Sequence, residues 1–261
     1  AKSNRFSSFM DKYAFVFFEN NLPKIADKVT IHNNFLIEKY KNLGINKKKI
    51  FYLPNGVDLD RFKKINKKLI LNIKNKFKLK NKKIILYFGS LSLKSGHSVD
   101  LLIKAFEIVN KKIKNSVLLL VGGGEDIDLL KEKAKNLNSV IFVGRVNQEE
   151  IPSYIKISDV TVDPVYDTLP NKCRSPLKMI ESMVMGVPVI TGDVGDRKII
   201  ADNGKAAIIV KAGDEKLLAS SIIEILKNKK LSKRLSKHGL QIVKKYDWKK
   251  LTFTLNKIIS S

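Results

Sequence analysis

The run Ile84-Ile85-Leu86-Tyr87-Phe88-Gly89 decides the fold class. Five consecutive apolar or aromatic residues leave no polar face, so a strand made from them must be covered on both sides. Gly89 then ends the run. Moving forward, the same unit recurs. Residues 99–109 have helical spacing, with Leu101, Leu102, Ala105, Phe106 and Val109 on one face. A second apolar strand, residues 117–121, stops at Gly122-Gly123-Gly124. A helix over 126–137 leads to a strand at 140–143, closed by Gly144-Arg145. A helix over 149–157 and a strand over 160–165 follow, then a helix over 176–185 that carries Pro176 in its first turn, where a missing N–H does no harm. Strands at 187–191 and 206–210 and a helix at 214–226, with Asp214 as its N-cap, complete the pattern. Alternation at this spacing predicts βαβ units and a Rossmann-like, doubly wound parallel α/β domain over 82–230.

Moving backward from Ile84, the signal thins. Residues 28–31 and 49–53 read as strands and 34–43 as a helix, before Pro54-Asn55-Gly56 breaks the chain as a turn. Residues 1–56 thus read as the end of another α/β unit, too short to be a domain. Residues 57–81 read as a basic connecting segment. Residues 231–261 read as a basic amphipathic helix or helix pair, interrupted near Tyr246-Asp247-Trp248.

Composition narrows the function classes. The 261 residues are 44% hydrophobic, enough for a core, and carry a net charge of +25. That charge sits on two flanks: 39–84 hold 16 Lys/Arg against 2 Asp/Glu, and 226–261 hold 11 against 1, whereas 85–225 hold 18 of each. Basic flanks suit an anionic membrane surface, at about 1 kcal/mol per well-placed cation, or simply solvated helix faces in a lysine-rich chain. Aromatic interleaving for base stacking is sparse there, so specific nucleic acid binding is not expected. No apolar run reaches the ~18–20 residues of a membrane span. A cytoplasmic setting is expected, with peripheral attachment at the membrane face as the variant of it. Cys173 is the single cysteine and His32, His97 and His238 are scattered, so neither a disulfide framework nor a metal centre is expected.

Parallel sheets bind ligands beyond the carboxyl ends of their strands. Gly89-Ser90, Gly122-Gly123-Gly124 and Gly144-Arg145 all fall at such ends. Each is also an ordinary turn signal, and none forms a GxGxxG or a P-loop, which removes support for a dinucleotide oxidoreductase or a P-loop enzyme. The densest segment is Cys173-Arg174-Ser175-Pro176-Leu177-Lys178-Met179-Ile180-Glu181. Lys178 and Glu181 are three apart on one helix face, where they can form a surface ion pair. Alternatively, Arg174 and Lys178 meet a diphosphate at the helix start while Glu181 accepts from ribose hydroxyls. Asp193-Val194-Gly195-Asp196-Arg197 follows another strand end and either lines the same pocket or forms a turn held by an Asp–Arg pair.

These segments together resemble a known family. The order Pro54-Asn55-Gly56-Val57-Asp58 with Phe62, Phe88-Gly89-Ser90 through Ala105, Leu120-Val121-Gly122-Gly123-Gly124, Val140-Ile141-Phe142-Val143-Gly144-Arg145-Val146, and Glu181-Ser182-Met183-Val184-Met185-Gly186-Val187-Pro188-Val189 is similar to the C-terminal portion of group-1 (GT4) retaining glycosyltransferases of the GT-B fold. The resemblance implies a metal-independent transferase. It would bind a nucleotide-diphospho-sugar as substrate, need no further cofactor, and pass the sugar to a lipid-linked or polysaccharide acceptor with retention. It implies Arg174, Lys178 and Glu181 as the catalytic set. Gly89, Ser90, Lys94, Gly122, Gly123, Gly144, Arg145, Val146, Ser175, Pro176 and Leu177 are implied around the donor. It makes 1–56 a remnant of the acceptor-side domain, on which 231–261 would pack back. Two departures stand out: Cys173 occupies the place of the first of two family glutamates, and Ser90 that of a phosphate-binding Arg. Lys94, one residue out of register, is the best match to the family lysine. These departures, with so little of an acceptor domain, leave a second expectation: a non-catalytic nucleotide-binding subunit, or a chain working with a separate acceptor-binding polypeptide.

Overall fold

The structure, a computed structural model, describes residues 3–93 and 96–260, with side chains from residue 13 onward. The chain opens with helix α1 (Ser3–Ile25), strand β1 (Val29–Ile31), helix α2 (Asn34–Asn42) and strand β2 (Ile50–Tyr52). β1 and β2 pair in parallel, Val29 opposite Ile50. Helix α3 (Lys67–Lys76) lies in the segment 57–81, expected only as a basic connector. Its start is set by Asn66, whose side chain accepts from Leu69 N, and its buried Ile73 anchors it to the domain below.

The main domain is a six-stranded parallel sheet. Its elements in chain order are β3 (Lys83–Phe88), α4 (Val99–Lys112), β4 (Ser116–Val121), α5 (Ile127–Lys133), β5 (Val140–Gly144), α6 (Ile151–Ile157), β6 (Val160–Asp163), α7 (Leu169–Cys173), α8 (Leu177–Val184), β7 (Val189–Gly192), α9 (Arg197–Ile200), β8 (Ile208–Val210) and α10 (Glu215–Lys227). The strand order is β5-β4-β3-β6-β7-β8, a doubly wound Rossmann-like arrangement. β3 is central, with Leu86 opposite Leu119 on one side and Thr161 on the other. Alternate residues point to opposite faces. Ile84, Leu86 and Phe88 pack with Ile73, Tyr154, Met179 and Met183, under α3, α6 and α8. Ile85 and Tyr87 pack with Leu102, Phe106, Leu218 and Ile222, under α4 and α10. Both faces are covered, which is why the β3 and β4 runs carry no polar alternation.

The C-terminal stretch is a helix pair, α11 (Lys229–Ile242) and α12 (Trp248–Ser260), parted by a 3-10 turn at Val243–Tyr246. It returns to the front of the chain: Val57 N donates to Tyr246 O (2.8 Å), Trp248 N to Val57 O (3.2 Å), and Lys28 Nζ to Ile258 O. The N-terminal unit is tied to the main domain by Asp196. Its carboxylate accepts from Asn34 N (3.1 Å) and from the Tyr52 hydroxyl (3.1 Å). Among the described residues no helix is long and apolar enough to cross a membrane.

Candidate functional site

The strand order reverses direction between β3 and β6, and the carboxyl ends of those two strands frame the site. β3 ends at Phe88-Gly89. Gly89 has φ +137° and its amide donates to Val121 O (2.9 Å), which knits the loop to the end of β4. Gly122 faces it so closely that a Cβ there would lie 1.8 Å from Gly89 O, and its own φ is +141°. Only glycine fits. Gly122→Ala is therefore expected to lose at least about 2 kcal/mol of stability, from backbone strain plus the forced separation of the two loops. Urea unfolding measures this, and a loss under about 0.5 kcal/mol, the scatter of neutral surface changes, would contradict the packing described.

Lys178 occupies the crevice. It rises from the first turn of α8, and its Cε lies 2.5 Å from where a Gly89 Cβ would sit. Its ammonium is 3.8 Å from Asp163 Oδ1 at the end of β6 and 5.2 Å from the centre of the Tyr87 ring. Burial, with Arg197 and Arg174 nearby, pushes the Lys178 ammonium below its ordinary pKa despite Asp163. Asp163 is the anchor of the cluster. Its Oδ2 accepts from Arg197 Nε (2.8 Å) and from Thr191 Oγ1 (3.1 Å). Burial pushes this carboxyl up, but Arg197 and Lys178 outweigh it and hold it below the usual carboxylate range. Arg197 is 2% exposed and spends Nη1 on Asn171 O (3.1 Å) and Val194 O (3.2 Å).

Arg174 is different. Among the described residues it forms no ion pair, and its guanidinium approaches His97 Nδ1 at 3.5 Å. The loop that carries it is pinned from the N-terminal unit: Asn33 Nδ2 donates to Arg174 O (3.1 Å), and His32 Nε2 lies 3.2 Å from Cys173 O. Burial, with Arg197 beside it, lowers the Arg174 pKa from its ordinary high value. An unpaired guanidinium next to a desolvated ammonium is a site made for an anion.

Glu181, one turn after Lys178, faces a cleft of about 520 Å³ lined by Asn55, Arg61, Gly89, Gln148, Leu177 and Trp248 among others. Its Oε1 is 3.2 Å from Arg61 Nη2. Burial pushes the Glu181 carboxyl above its ordinary pKa, against the pull of Arg61 and Lys178. Lys178 and Glu181 thus do not pair with each other: one turns to Asp163, the other to Arg61. Likewise the 193–197 turn holds no Asp–Arg pair of its own, because Arg197 reaches Asp163 and Asp196 holds Asn34 and Tyr52.

A second, smaller cavity of about 130 Å³ shares Leu177 with the first and includes His97, Arg174, Ser175, Pro176 and Lys178. The other sequence-derived positions lie around the rim. The Tyr87 hydroxyl donates to Ser90 O (2.6 Å). Arg145 is exposed and lies across Gly123, with Nε 2.5 Å from a Cβ placed there. Nothing lies within 4 Å of such a Cβ at Gly144, and Val146 is half-buried against the core. Lys94 lies outside the described residues. Asp163, Arg61, Asn171 and Trp248 were missed by sequence reasoning. One signal was available: an Asp inside the apolar run Val160-Thr161-Val162-Asp163-Pro164-Val165 marks a buried, and therefore partnered, charge.

His97 sits behind this cluster, 3.2 Å from the Tyr87 hydroxyl. Burial, with Lys178 and Arg174 adding repulsion, lowers its pKa to about 4. An unfolded histidine titrates near ~6.5. Below that pH the unfolded chain takes up a proton that the folded one refuses, so stability is expected to fall as pH drops from about 6.5 toward 4. His97→Gln should flatten that slope in unfolding curves recorded across this window; an unchanged slope would contradict the assignment.

Residues 69–241 match the family model described as glycosyl transferases group 1. The chain belongs to this family. An uncharacterized glycosyltransferase of Methanocaldococcus jannaschii is 25% identical over 264 residues, covering 97% of this chain and 64% of that relative. A GDP-mannose-dependent alpha-(1-6)-phosphatidylinositol monomannoside mannosyltransferase of Mycobacterium tuberculosis is 23% identical over 214 residues, covering 77% of this chain and 53% of the relative. Among solved structures, Anabaena HepE in complex with UDP-glucose superimposes with a TM-score of 0.79 at 18% identity, over 92% of this chain and 65% of that one, a likeness of fold. This group-1 family chain therefore spans between about half and two thirds of these proteins.

Proposed function

We propose that this chain is the donor-binding part of a retaining, metal-independent glycosyltransferase that takes a sugar from a nucleotide-diphospho-sugar and delivers it to a lipid-linked or polysaccharide acceptor. The observation that carries the reading is Lys178, half-buried at the β3/β6 crevice against bare Gly89, with Arg174, which has no ion pair among the described residues, beside it. Asp163 is already satisfied by Arg197, so the surplus charge faces the cleft and needs a polyanion. The nucleoside fits the larger cleft, where Glu181 accepts from ribose hydroxyls once Arg61 shares it. Lys178 and Arg174 stabilise the diphosphate as it leaves, while positive charge develops on the sugar. Family membership and the names of the relatives support the same reading. Residues 1–56 fit as the edge of the acceptor-side domain, which α12 reaches where Lys28 Nζ donates to Ile258 O.

The test is calorimetric titration of this chain with UDP, GDP and ADP. One of them is expected to bind in the micromolar range. Glu181→Ala is expected to weaken it about tenfold to a hundredfold, the loss of hydrogen bonds to a charged acceptor. Absence of binding by all three would overturn the reading. Binding without turnover, when donor and acceptors are supplied, would favour the second reading, a nucleotide-binding subunit, for which Cys173 in the place of a carboxylate is the motivating residue.

A further inference from the structure

Asn171 lies on α7 at the back of the small cavity and is 1% exposed. Its Nδ2 donates to Tyr166 O (3.0 Å), which fixes the orientation of the amide and leaves Oδ1 as the free end. Among the described residues nothing donates to Oδ1. Buried carbonyl-type acceptors are almost always satisfied, so an orphan of this kind points to a group that arrives with a ligand. The surroundings say which group. Gly96, at φ +79°, presents bare backbone here: a Cβ on it would lie 3.4 Å from Asn171 Oδ1 and 3.6 Å from Arg174 Nη2. The missing side chain leaves a gap with a neutral acceptor on one wall and an unpaired guanidinium on the other.

Those two walls demand opposite things. Oδ1 can only accept and the guanidinium can only donate. A phosphate oxygen suits Arg174 and is repelled by Oδ1, so a free phosphate or a nucleoside diphosphate alone leaves Oδ1 unsatisfied. A hydroxyl a few bonds from a diphosphate satisfies both walls at once. We infer that Asn171 selects the donor sugar: its Oδ1 accepts from one hydroxyl of a hexose whose diphosphate is held by Arg174 and Lys178. This rests on the donor-binding reading above and goes beyond it by naming the residue that reads the sugar. The small cavity, which shares the lining residue Leu177 with the nucleoside cleft, is then the hexose site.

The experiment is calorimetry on this chain and on Asn171→Ala, with UDP and GDP against UDP-glucose, UDP-galactose and GDP-mannose, followed by the monodeoxy forms of whichever sugar nucleotide binds best. The nucleoside diphosphate is expected to bind both proteins within twofold. The sugar nucleotide is expected to lose about tenfold in Asn171→Ala, the usual effect of a buried acceptor left unpaired. One monodeoxy donor should lose the same factor against the wild-type chain and nothing more against the variant, which isolates the pair. Equal weakening of the diphosphate and the sugar nucleotide would mean that Asn171 only braces the Tyr166 loop, and would overturn the inference. So would a flat monodeoxy series on the wild-type chain, a result that stands even if the variant fails to fold. If no nucleoside diphosphate binds, the donor-binding reading itself fails and this inference with it. If the diphosphate binds and the deoxy series is flat, only the role of Asn171 fails.

Discussion

Asp163→Ala is expected to lose about 3–5 kcal/mol of folding stability, a large share of what holds a domain of this size together. The reason is not the worth of the ion pair itself. Arg197 is 2% exposed, and its Nε donates to Asp163 at 2.8 Å. Without the carboxylate, a guanidinium stays sealed in the protein with only the carbonyls of Asn171 and Val194 for company, and Lys178 stands 3.8 Å from the vacated oxygen. Two cations would then share a desolvated crevice with no counter-charge. A double variant, Asp163→Leu with Arg197→Met, should recover most of the loss, because replacing a whole buried pair by apolar groups is often neutral. Chemical denaturation at neutral pH decides it: a single-variant loss below about 1 kcal/mol, the worth of an exposed pair, would mean that the crevice is wet. The pH dependence has a definite sign. The Asp163 carboxyl is held below its ordinary range, so its contribution is present at neutral pH. That contribution is lost as pH falls through the depressed folded-state value, beneath the window in which His97 acts.

The sheet was legible in the sequence because β3 and β4 announce themselves. Ile84 to Phe88 and Val117 to Val121 have no polar residue to place, and only a strand covered on both faces accepts that. The loops at their ends were legible for the same local reason, since Gly89 and Gly122 are glycines that close contact requires. The partners in the site were not legible, because they are set by strand order. Lys178 and Glu181 are neighbours on one helix turn, and local rules pair them. In the folded chain β6 brings Asp163 to one of them, and the turn after Asp60 brings Arg61 to the other. The same holds for Arg197, which sequence proximity ties to Asp193 or Asp196 and the sheet ties to Asp163. Helix α3 was missed because its lysines read first as charge, although Leu69, Ile70 and Ile73 recur at helical spacing and pack on the domain. Its cap at Asn66 was the readable sign.

Lys178→Met is expected to separate binding from stability, with effects of opposite sign. The methionine keeps most of the volume and removes the charge. In the free protein that charge is a burden: burial pushes the ammonium below its ordinary pKa, and Arg197 and Arg174 add repulsion that Asp163 does not fully offset. A lowered lysine pKa means that the protonated form is less stable in the folded chain than in the unfolded one, so removing it should leave the free protein unchanged or more stable. Asp163 keeps its closer partner, Arg197, at 2.8 Å. The nucleoside diphosphate, by contrast, loses the cation that stands at the β3/β6 crevice. Truncating one partner of a buried, hydrogen-bonded charge pair typically costs about 2–5 kcal/mol, so affinity should fall about a hundredfold or more. Titration of UDP, GDP or ADP into the variant, with its melting temperature recorded alongside, reads both numbers. A residue placed for the fold would lose stability and binding together. A residue strained into place for a ligand loses only the ligand, the pattern of a site that stores instability for function. On the donor-binding reading Lys178 belongs to the second kind, because its ion partner among the described residues, Asp163 at 3.8 Å, already has Arg197 closer at 2.8 Å.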